Sequence, residues 1–269
     1  MVCDLADMKS IRTFADDCKA AAPTLDVLCL NAAVAPSTKA EVAKRTVDGF
    51  EEAIGVNHLG HSLLAALLQP HLTAGPTKRL VVTASSVHDP DQPGGAINGK
   101  SGATLGDLSG FGATSGPMVM CDGATEYDGS KVYKDSKLCN MLFCREAQKR
   151  WGATGKLSIR SFSPGFIPAS GLFREPRKDN WLAATAFAFA AEKLLGFAVP
   201  IDVGGDRLAY LATASDEAVP SGSYLSAPTG AKGFTREEGF DDGLISAEAS
   251  DDAKAAKLWE LTAAAVGLA

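Results

Sequence analysis

The sequence lacks the cysteine spacing, the basic clusters and the long uncharged apolar runs that mark several large classes of protein. Its six cysteines form no Cys-x-x-Cys pair and no metal-binding spacing, which indicates reduced thiols rather than a disulfide framework. A net charge of −6 without a lysine/arginine cluster argues against a nucleic-acid surface. The longest apolar helix candidate, residues 180–199, contains Glu192 and Lys193. We therefore expect a substrate-side amphipathic helix or lid there rather than a membrane span.

A metal site is also not expected. His58 and His61 are three residues apart, but no third candidate ligand accompanies them. No transit peptide is visible at the start of the chain, and peripheral membrane contact through residues 180–199 stays open.

The apolar pattern predicts a single α/β domain over residues 1–269. With 46% hydrophobic and 22% charged residues, the chain is large enough for one buried core. Short apolar runs alternate with amphipathic helical stretches, which is typical of a parallel sheet with helices on both faces. The strand-like runs are 25–30, 79–83 and 157–163, and the helical stretches are 8–19, 48–68 and 133 to about 150.

Polar or conformationally special residues follow each predicted strand. Asn31 follows the first, Ser85 the second and Pro164-Gly165 the third. Ligands of parallel sheets bind beyond the carboxyl ends of the strands. We therefore expect these residues to share one crevice.

Tyr133 and Lys137 are four residues apart in a predicted helix and lie one turn apart on the same face. The Lys137 ammonium should favour ionisation of the Tyr133 phenol, whose ordinary pKa of about 10 is too high for easy proton transfer at neutral pH. The pair therefore predicts a proton donor or acceptor beside a hydride-transfer site. An exposed helix pair is the alternative that the spacing alone leaves open.

The order of motifs along the chain resembles the short-chain dehydrogenase/reductase superfamily. Within it, longer motifs from about Asp4 to the C-terminus resemble the light-dependent protochlorophyllide oxidoreductase family, which implies a Rossmann-like, doubly wound parallel sheet. NHLGH also occurs in retinol-dehydrogenase-like relatives, whereas YKDSKLCNML and its neighbours are more specific. The motifs are NHLGH (57–61), GDLSG (106–110), YKDSKLCNML (133–142), GLFRE (171–175) and KLWEL (257–261).

The resemblance assigns a role to each candidate site residue. It implies catalytic roles for Tyr133, Lys137, Asn57 and Ser85, with Ser86 as the competing choice for the hydroxyl. For Asn57, in mid-helix, a structural role and a proton-relay role both stay open. Cys139 is either a packed thiol or a substrate-pocket residue, and Phe166 also falls in that pocket. NADPH would contact Asp4, Asn31, Ala32, Ala33, Tyr133, Lys137, Pro164, Gly165, Ile167 and Ser170.

Two segments depart from a plain dinucleotide fold. The chain starts near what resembles the end of the third family strand, so we expect about two βα units, on the order of 60 residues with the glycine-rich turn, to be missing. Residues 88–126 resemble the family's long insertion, and a disordered excursion is the alternative. Within it we interpret the glycine-rich run 110–116 as a flexible segment rather than a phosphate loop, because it follows no strand.

At two places the sequence differs from the family pattern in a way that leaves the identity of the substrate open. Phe166 stands where the family has a pocket cysteine, and it fills more space and donates no proton. Residues 221–226 (SGSYLS) replace a more aromatic family strand. Phe166 puts the shape of the pocket in doubt, and both departures favour an altered or lost activity.

The leading functional expectation is light-dependent, NADPH-linked reduction of protochlorophyllide to chlorophyllide. A dark NADP(H)-dependent carbonyl or retinoid-type reductase needs the same residues and is the alternative. A non-catalytic truncated pigment-binding homologue is the third hypothesis. The resemblance further implies plastid localisation, or cytoplasmic if the source is bacterial, and leaves homo-oligomer formation open.

Overall fold

A five-stranded sheet forms the centre of the fold in a computed structural model, which describes residues 1–74, 77–96, 99–116, 119–153, 155–174, 185–186 and 188–268. The strands lie in chain order, the first four parallel and the last antiparallel. All three predicted strands are confirmed, with ends shifted by at most two residues. The strands are β1 (Val27–Leu30), β2 (Arg79–Thr83), β3 (Ser158–Phe162), β4 (Tyr224–Ser226) and β5 (Asp241–Asp242).

Three of the helices begin directly after an aspartate side chain that caps them. Asp7, Asp128 and Asp251 each accept hydrogen bonds from backbone N–H groups of the first turn that follows. The predicted helix at Tyr133 therefore starts earlier, just after Asp128. The helices are α1 (Met8–Ala21), α2 (Glu52–Ile54), α3 (His61–Ala74), α4 (Gly129–Ala147), α5 (Ile201–Thr213) and α6 (Asp252–Ala265).

Helices cover both faces of the sheet, which confirms the predicted α/β class. Alternate residues of β2 belong to different cores because side chains alternate across a strand. Leu80 and Val82 lie in the core that also contains buried residues of α3 and α4. Val81 lies in the other, with Leu211 of α5 and Phe240.

A wide turn interrupts the predicted helix 48–68. Its first turn, α2, is capped by the Glu51 carboxylate, which accepts from the Ile54 N–H. The six residues Gly55–Gly60 then form a buried π-helical turn before α3 begins. Such turns often mark functional sites, and this one contains Asn57.

Part of the predicted helix 180–199 lies outside the described residues, namely 180–184 and 187, as does Glu175 of the GLFRE motif. The structure does place a π-helical turn at Ala190–Leu194. None of the helices in the described part of the chain has the length and apolarity that a membrane crossing needs.

Six apolar residues of the insertion are buried in the main core, which favours the family-type insertion over a disordered excursion for those positions. That the glycine run 110–116 is flexible stays a prediction; at Gly110 an added Cβ would lie 2.0 Å from the Met120 carbonyl oxygen. The backbone therefore passes too close to its neighbour for any side chain. That residues 1–269 form one domain stays a prediction. The buried insertion residues are Ala103, Leu105, Leu108, Phe111, Met120 and Cys121.

Candidate active site

The ends of β1, β2 and β3 meet at one edge of the sheet, as the sequence predicted. Leu30 pairs with Val82, and Thr83 pairs with Phe162, so the residues after each strand become neighbours. The Thr83 hydroxyl donates to Asn31 Oδ1 at 2.8 Å. This bond joins the end of β2 to the exposed Asn31 side chain.

Lys137 reaches the same strand end from α4. Its Nζ donates to the Thr83 carbonyl oxygen at 3.1 Å, and only 2% of the residue is exposed. Burial lowers the pKa of Lys137 to about 8. The ammonium is thus still mostly protonated at neutral pH and lies against the crevice wall.

The expectation that Lys137 lowers the pKa of Tyr133 is wrong for this structure. Burial raises the pKa of the Tyr133 phenol, although part of the residue remains exposed. The Lys137 Nζ lies 5.7 Å from the centre of the Tyr133 ring and bonds to Thr83 instead. Loss of hydration therefore outweighs attraction to the ammonium, and the phenol stays protonated at neutral pH.

Asn57 joins the loop after β1 to α4. Its Oδ1 accepts from the Val34 N–H at 2.8 Å, and its Nδ2 donates to the Val34 carbonyl at 2.9 Å and to Ser136 Oγ at 3.0 Å. Ser136 Oγ in turn donates to the Tyr133 carbonyl at 2.6 Å. These bonds give Asn57 a structural role. Its proton-relay role stays a prediction.

Ser85 lies beyond β2 and caps a short 3₁₀ turn, Ser86–His88. Its Oγ accepts from the Val87 N–H at 3.4 Å, and it is partly exposed. The competing Ser86 donates its backbone N–H to Ser163 Oγ at 3.1 Å, linking the ends of β2 and β3. The structure does not decide between Ser85 and Ser86, so a catalytic role for the Ser85 hydroxyl stays a prediction.

His88 supports Ser85 from inside the protein. Its Nδ1 lies 2.7 Å from the Ser85 carbonyl oxygen, and its Nε2 accepts from the Ser246 N–H at 3.3 Å. These partners assign the proton to Nδ1. Burial lowers the His88 pKa, which keeps the ring neutral. Its ring also makes an edge contact with Tyr224, with centroids 5.4 Å apart.

The loop after β3 forms the third wall. Gly165 has φ +89°, and an added Cβ there would lie 2.7 Å from Val199 Cγ2, so the turn requires glycine. The Phe166 carbonyl accepts from the Val199 N–H at 2.8 Å, and its ring lies 5.7 Å from that of Phe197. The large side chain predicted to narrow the pocket is thus packed against a neighbouring segment.

The remainder of this loop continues along α5. Ile167 lies against Gly204 at the start of that helix. Its carbonyl accepts from the Ser170 N–H at 3.1 Å, just before the 3₁₀ turn Gly171–Phe173. Pro164 presents its carbonyl to Arg207 Nη1 at 2.9 Å.

Two predicted site residues are not brought into this network. Asp4 is exposed, and among the described residues its carboxylate bonds only to the nearby Ala6 N–H, at 2.9 Å. Cys139 has no exposed surface and lies in the main core beside the thiol of Cys121. Their roles in cofactor and substrate binding stay predictions.

The two histidines of NHLGH are buried and neutral. Burial lowers the pKa of His58 to about 4 and that of His61 to about 3. His58 Nε2 lies 2.8 Å from Thr262 Oγ1 of α6, and His61 Nδ1 lies 3.2 Å from the Asn57 carbonyl. In the described ranges, no three His, Cys, Asp or Glu side chains are grouped as metal ligands.

The sequence reasoning missed four residues that hold this site together. Thr83 could have been found because it ends a predicted strand, and Ser136 because it lies between Tyr133 and Lys137. The others, His88 and Arg207, belong to no recognised motif and carry no such signal.

The polar set fits a nucleotide sugar. Asn31 offers an exposed amide, Lys137 a cation and Tyr133 a partly exposed phenol, which together supply donors and acceptors for ribose hydroxyls. Ala32 and Ala33 beside them are small and not buried, so the backbone there is open to close approach. These residues could hold the nicotinamide half of a dinucleotide.

Comparison with known proteins gives related sequences over the whole chain. Residues 1–107 match the family described as enoyl-(acyl carrier protein) reductase. A protochlorophyllide reductase of Avena sativa is 38% identical over 272 residues, which cover 99% of this chain and 82% of its own length. The chloroplastic protochlorophyllide reductase A of Triticum aestivum is 39% identical over 272 residues, covering 99% of this chain. The chain spans 66% of that relative's length.

Solved structures share the fold. A protein of Mycobacterium paratuberculosis matches 98% of this chain and 74% of its own, with a TM-score of 0.60 and 27% identity. Levodione reductase matches 86% of this chain and 76% of its own, with a TM-score of 0.57 and 14% identity. The second likeness concerns the fold alone.

Proposed function

Since the chain belongs to the protochlorophyllide reductase family of short-chain dehydrogenases/reductases, we propose that it catalyses light-dependent, NADPH-linked reduction of protochlorophyllide to chlorophyllide. One observation carries the proposal most directly. Tyr133 and Lys137 lie together beside the ends of three parallel strands, where ligands of such sheets bind. Relatives named chloroplastic support a plastid location.

The phenol of Tyr133 would act as the proton donor. Its raised pKa keeps the proton in place until a substrate carbon becomes basic enough to take it. The nearby Lys137 ammonium would then stabilise the phenolate that remains. NADPH, when bound, supplies the hydride for the other carbon of the C17–C18 double bond.

The remaining residues would bind and orient. Asn31, held by the Thr83 hydroxyl, and Lys137 would contact the nicotinamide ribose, and the Pro164–Gly165 turn would lie beside the ring. Asn57 would help to position Tyr133 through Ser136, and the partly exposed Ser85 would supply its hydroxyl to the same crevice. Proximity of this kind accounts for much of an enzyme's rate enhancement.

The deciding experiment mixes the purified chain with NADPH and protochlorophyllide and follows chlorophyllide absorbance in darkness and under illumination. We expect product only in the light. Tyr133→Phe should lower the rate by about 10²- to 10⁴-fold, because proton transfer in the transition state is lost. Tyr127→Phe is the matched control, since the Tyr127 hydroxyl donates to Glu51 Oε1 at 3.0 Å instead of joining the crevice network.

Other outcomes point to other functions. Equal conversion in darkness, or turnover of carbonyl substrates alone, would favour the dark reductase, for which the packed Phe166 ring is the supporting observation. NADPH or pigment binding without turnover would favour a non-catalytic homologue. An unchanged rate in Tyr133→Phe would contradict the assigned proton donor.

A further inference from the structure

Three arginines in the described part of the chain are buried, and of these Arg207 alone lacks an acidic partner there. Arg160 is 0% exposed and bonds to the Asp216 carboxylate at 2.7 Å as well as to backbone carbonyls. Arg207 is 1% exposed. Among the described residues its guanidinium bonds to backbone carbonyl oxygens and to no carboxylate.

Arg207 joins the crevice to a second loop. From α5, its Nη1 donates to the Pro164 carbonyl at 2.9 Å, its Nε to Gly233 at 2.9 Å and its Nη2 to Ala231 at 2.7 Å. The guanidinium carbon lies 5.0 Å from the centre of the Phe240 ring. The planar guanidinium therefore joins the Pro164–Gly165 turn to the segment 231–233.

A buried cation without a counter-ion is costly, and proteins seldom retain one unless an anion or a functional geometry compensates. Arg160 differs, because the Asp216 carboxylate, which it shares with Arg79, lies 2.7 Å from its Nη2. The contrast indicates that Arg207 has a role beyond joining two loops.

We propose that Arg207 is a positioning residue for the dinucleotide cofactor: it fixes the Pro164–Gly165 turn, and its uncompensated positive charge favours an anionic ligand beside that turn. The cofactor part rests on the proposed function. The positioning of the turn does not, because it can be measured in the ligand-free protein.

The test compares Arg207→Met with Arg160→Met in two measurements. The first is amide hydrogen exchange of residues 163–170 without ligand, and the second is the Kd for NADPH, determined well below each variant's Tm. We expect Arg207→Met to accelerate exchange in that loop and to raise the Kd about tenfold or more, because charged hydrogen bonds are lost. Arg160→Met should leave both nearly unchanged in the folded protein. Arg207→Lys, which keeps the charge but not the fork, should raise the Kd less.

Equal changes in the two Met variants, or unchanged exchange at residues 163–170 in Arg207→Met, would overturn the proposal and leave Arg207 a purely structural residue. Should Arg207→Met fail to fold, Arg207→Lys provides both measurements. If the wild-type chain does not bind NADPH, the proposed function fails, and the exchange measurement alone decides whether Arg207 positions the turn.

Discussion

Polar side chains on the two faces of the first half of α4 differ in the number of hydrogen bonds that they make to the protein. On the crevice face, Lys137 makes one hydrogen bond within the described residues, to Thr83, and the Tyr133 hydroxyl makes none. On the insertion face, Asp135 accepts from Lys131 Nζ at 2.6 Å and from the Thr104 N–H at 3.0 Å, and Lys134 is also bonded.

Within the run YKDSK, we therefore expect Tyr133 and Lys137 to matter for function and Lys134 and Asp135 to matter for stability. Buried polar groups are normally satisfied by protein partners, as those of Lys134 and Asp135 are, whereas the partly exposed Tyr133 phenol is open to a ligand. Lys134 donates to the Ser101 carbonyl at 2.9 Å, so this residue and Asp135 attach the insertion to the helix. One short motif thus contains both the pair proposed to be catalytic and the residues that attach the neighbouring loop.

The largest expected effect on stability comes from breaking the insertion face. Asp135→Leu should lower the free energy of unfolding by about 3 kcal/mol, because it removes the shorter of the two carboxylate contacts of the Lys131 ammonium and leaves the Thr104 N–H without its partner. Urea unfolding measures the change. The double variant Lys131→Met with Asp135→Leu should recover part of the loss, and a double variant less stable than the single one would contradict the pairing.

On the crevice face, removing a charged side chain should raise the free energy of unfolding rather than lower it. Lys137→Met should stabilise the fold at pH 7 by about 3 kcal/mol, because the pKa of Lys137 is lowered from 10.5 to about 8 by burial. The unfolded chain binds the Lys137 proton more tightly than the folded chain does. The loss of stability caused by burying the ammonium is therefore complete below pH 8 and disappears as the pH rises to 10.5.

The measurement is urea unfolding of both proteins at pH 7 and at pH 10. The advantage of the Met variant should shrink at the higher pH. Lys156→Met, an exposed lysine, is the control for the charge change itself. A pH-independent difference would show that the Lys137 ammonium carries no burial penalty.

The smallest effect should come from the rim of the insertion. Lys257 donates to the Asp107 carbonyl at 2.6 Å, but both residues are exposed. Lys257→Met should therefore move the urea midpoint by no more than about 0.3 M. A shift as large as that of Asp135→Leu would mean that anchoring does not depend on burial.

Periodicity and caps explain how much of the fold could be predicted. The runs at 25–30, 79–83 and 157–163 are apolar and short, and they became β1, β2 and β3. The meeting of Asn31 with the end of β2 also followed, because the ends of parallel strands share an edge. The ends of helices were less certain because Asp128 and Glu51 cap them at positions that apolar spacing does not mark.

The rest of the site depends on contacts between residues far apart in the chain and on the burial of ionisable groups. The spacing of residues in the sequence gives neither. The spacing of Tyr133 and Lys137 was interpreted correctly as one helix turn, yet the direction of the Tyr133 pKa was wrong because burial dominates it. Arg207 donates a hydrogen bond to the carbonyl of Pro164, which is 43 residues away in the chain, and no local sequence pattern predicts that contact. Packing of the insertion likewise depends on close backbone approach at Gly110.

The wide turn at Gly55–Gly60 has a consequence for comparing lengths of related chains. A π-helical turn takes in one residue more than an α-helical turn, so it behaves as a single-residue insertion inside a helix. Deleting one residue there would let residues 52–74 close as an ordinary helix whose two ends face as they do now, so only the residues of the wide turn would change direction. Asn57 would then turn away from Val34 and Ser136. An alignment that treats this helix as uninterrupted is out of step by one residue on one side of Asn57.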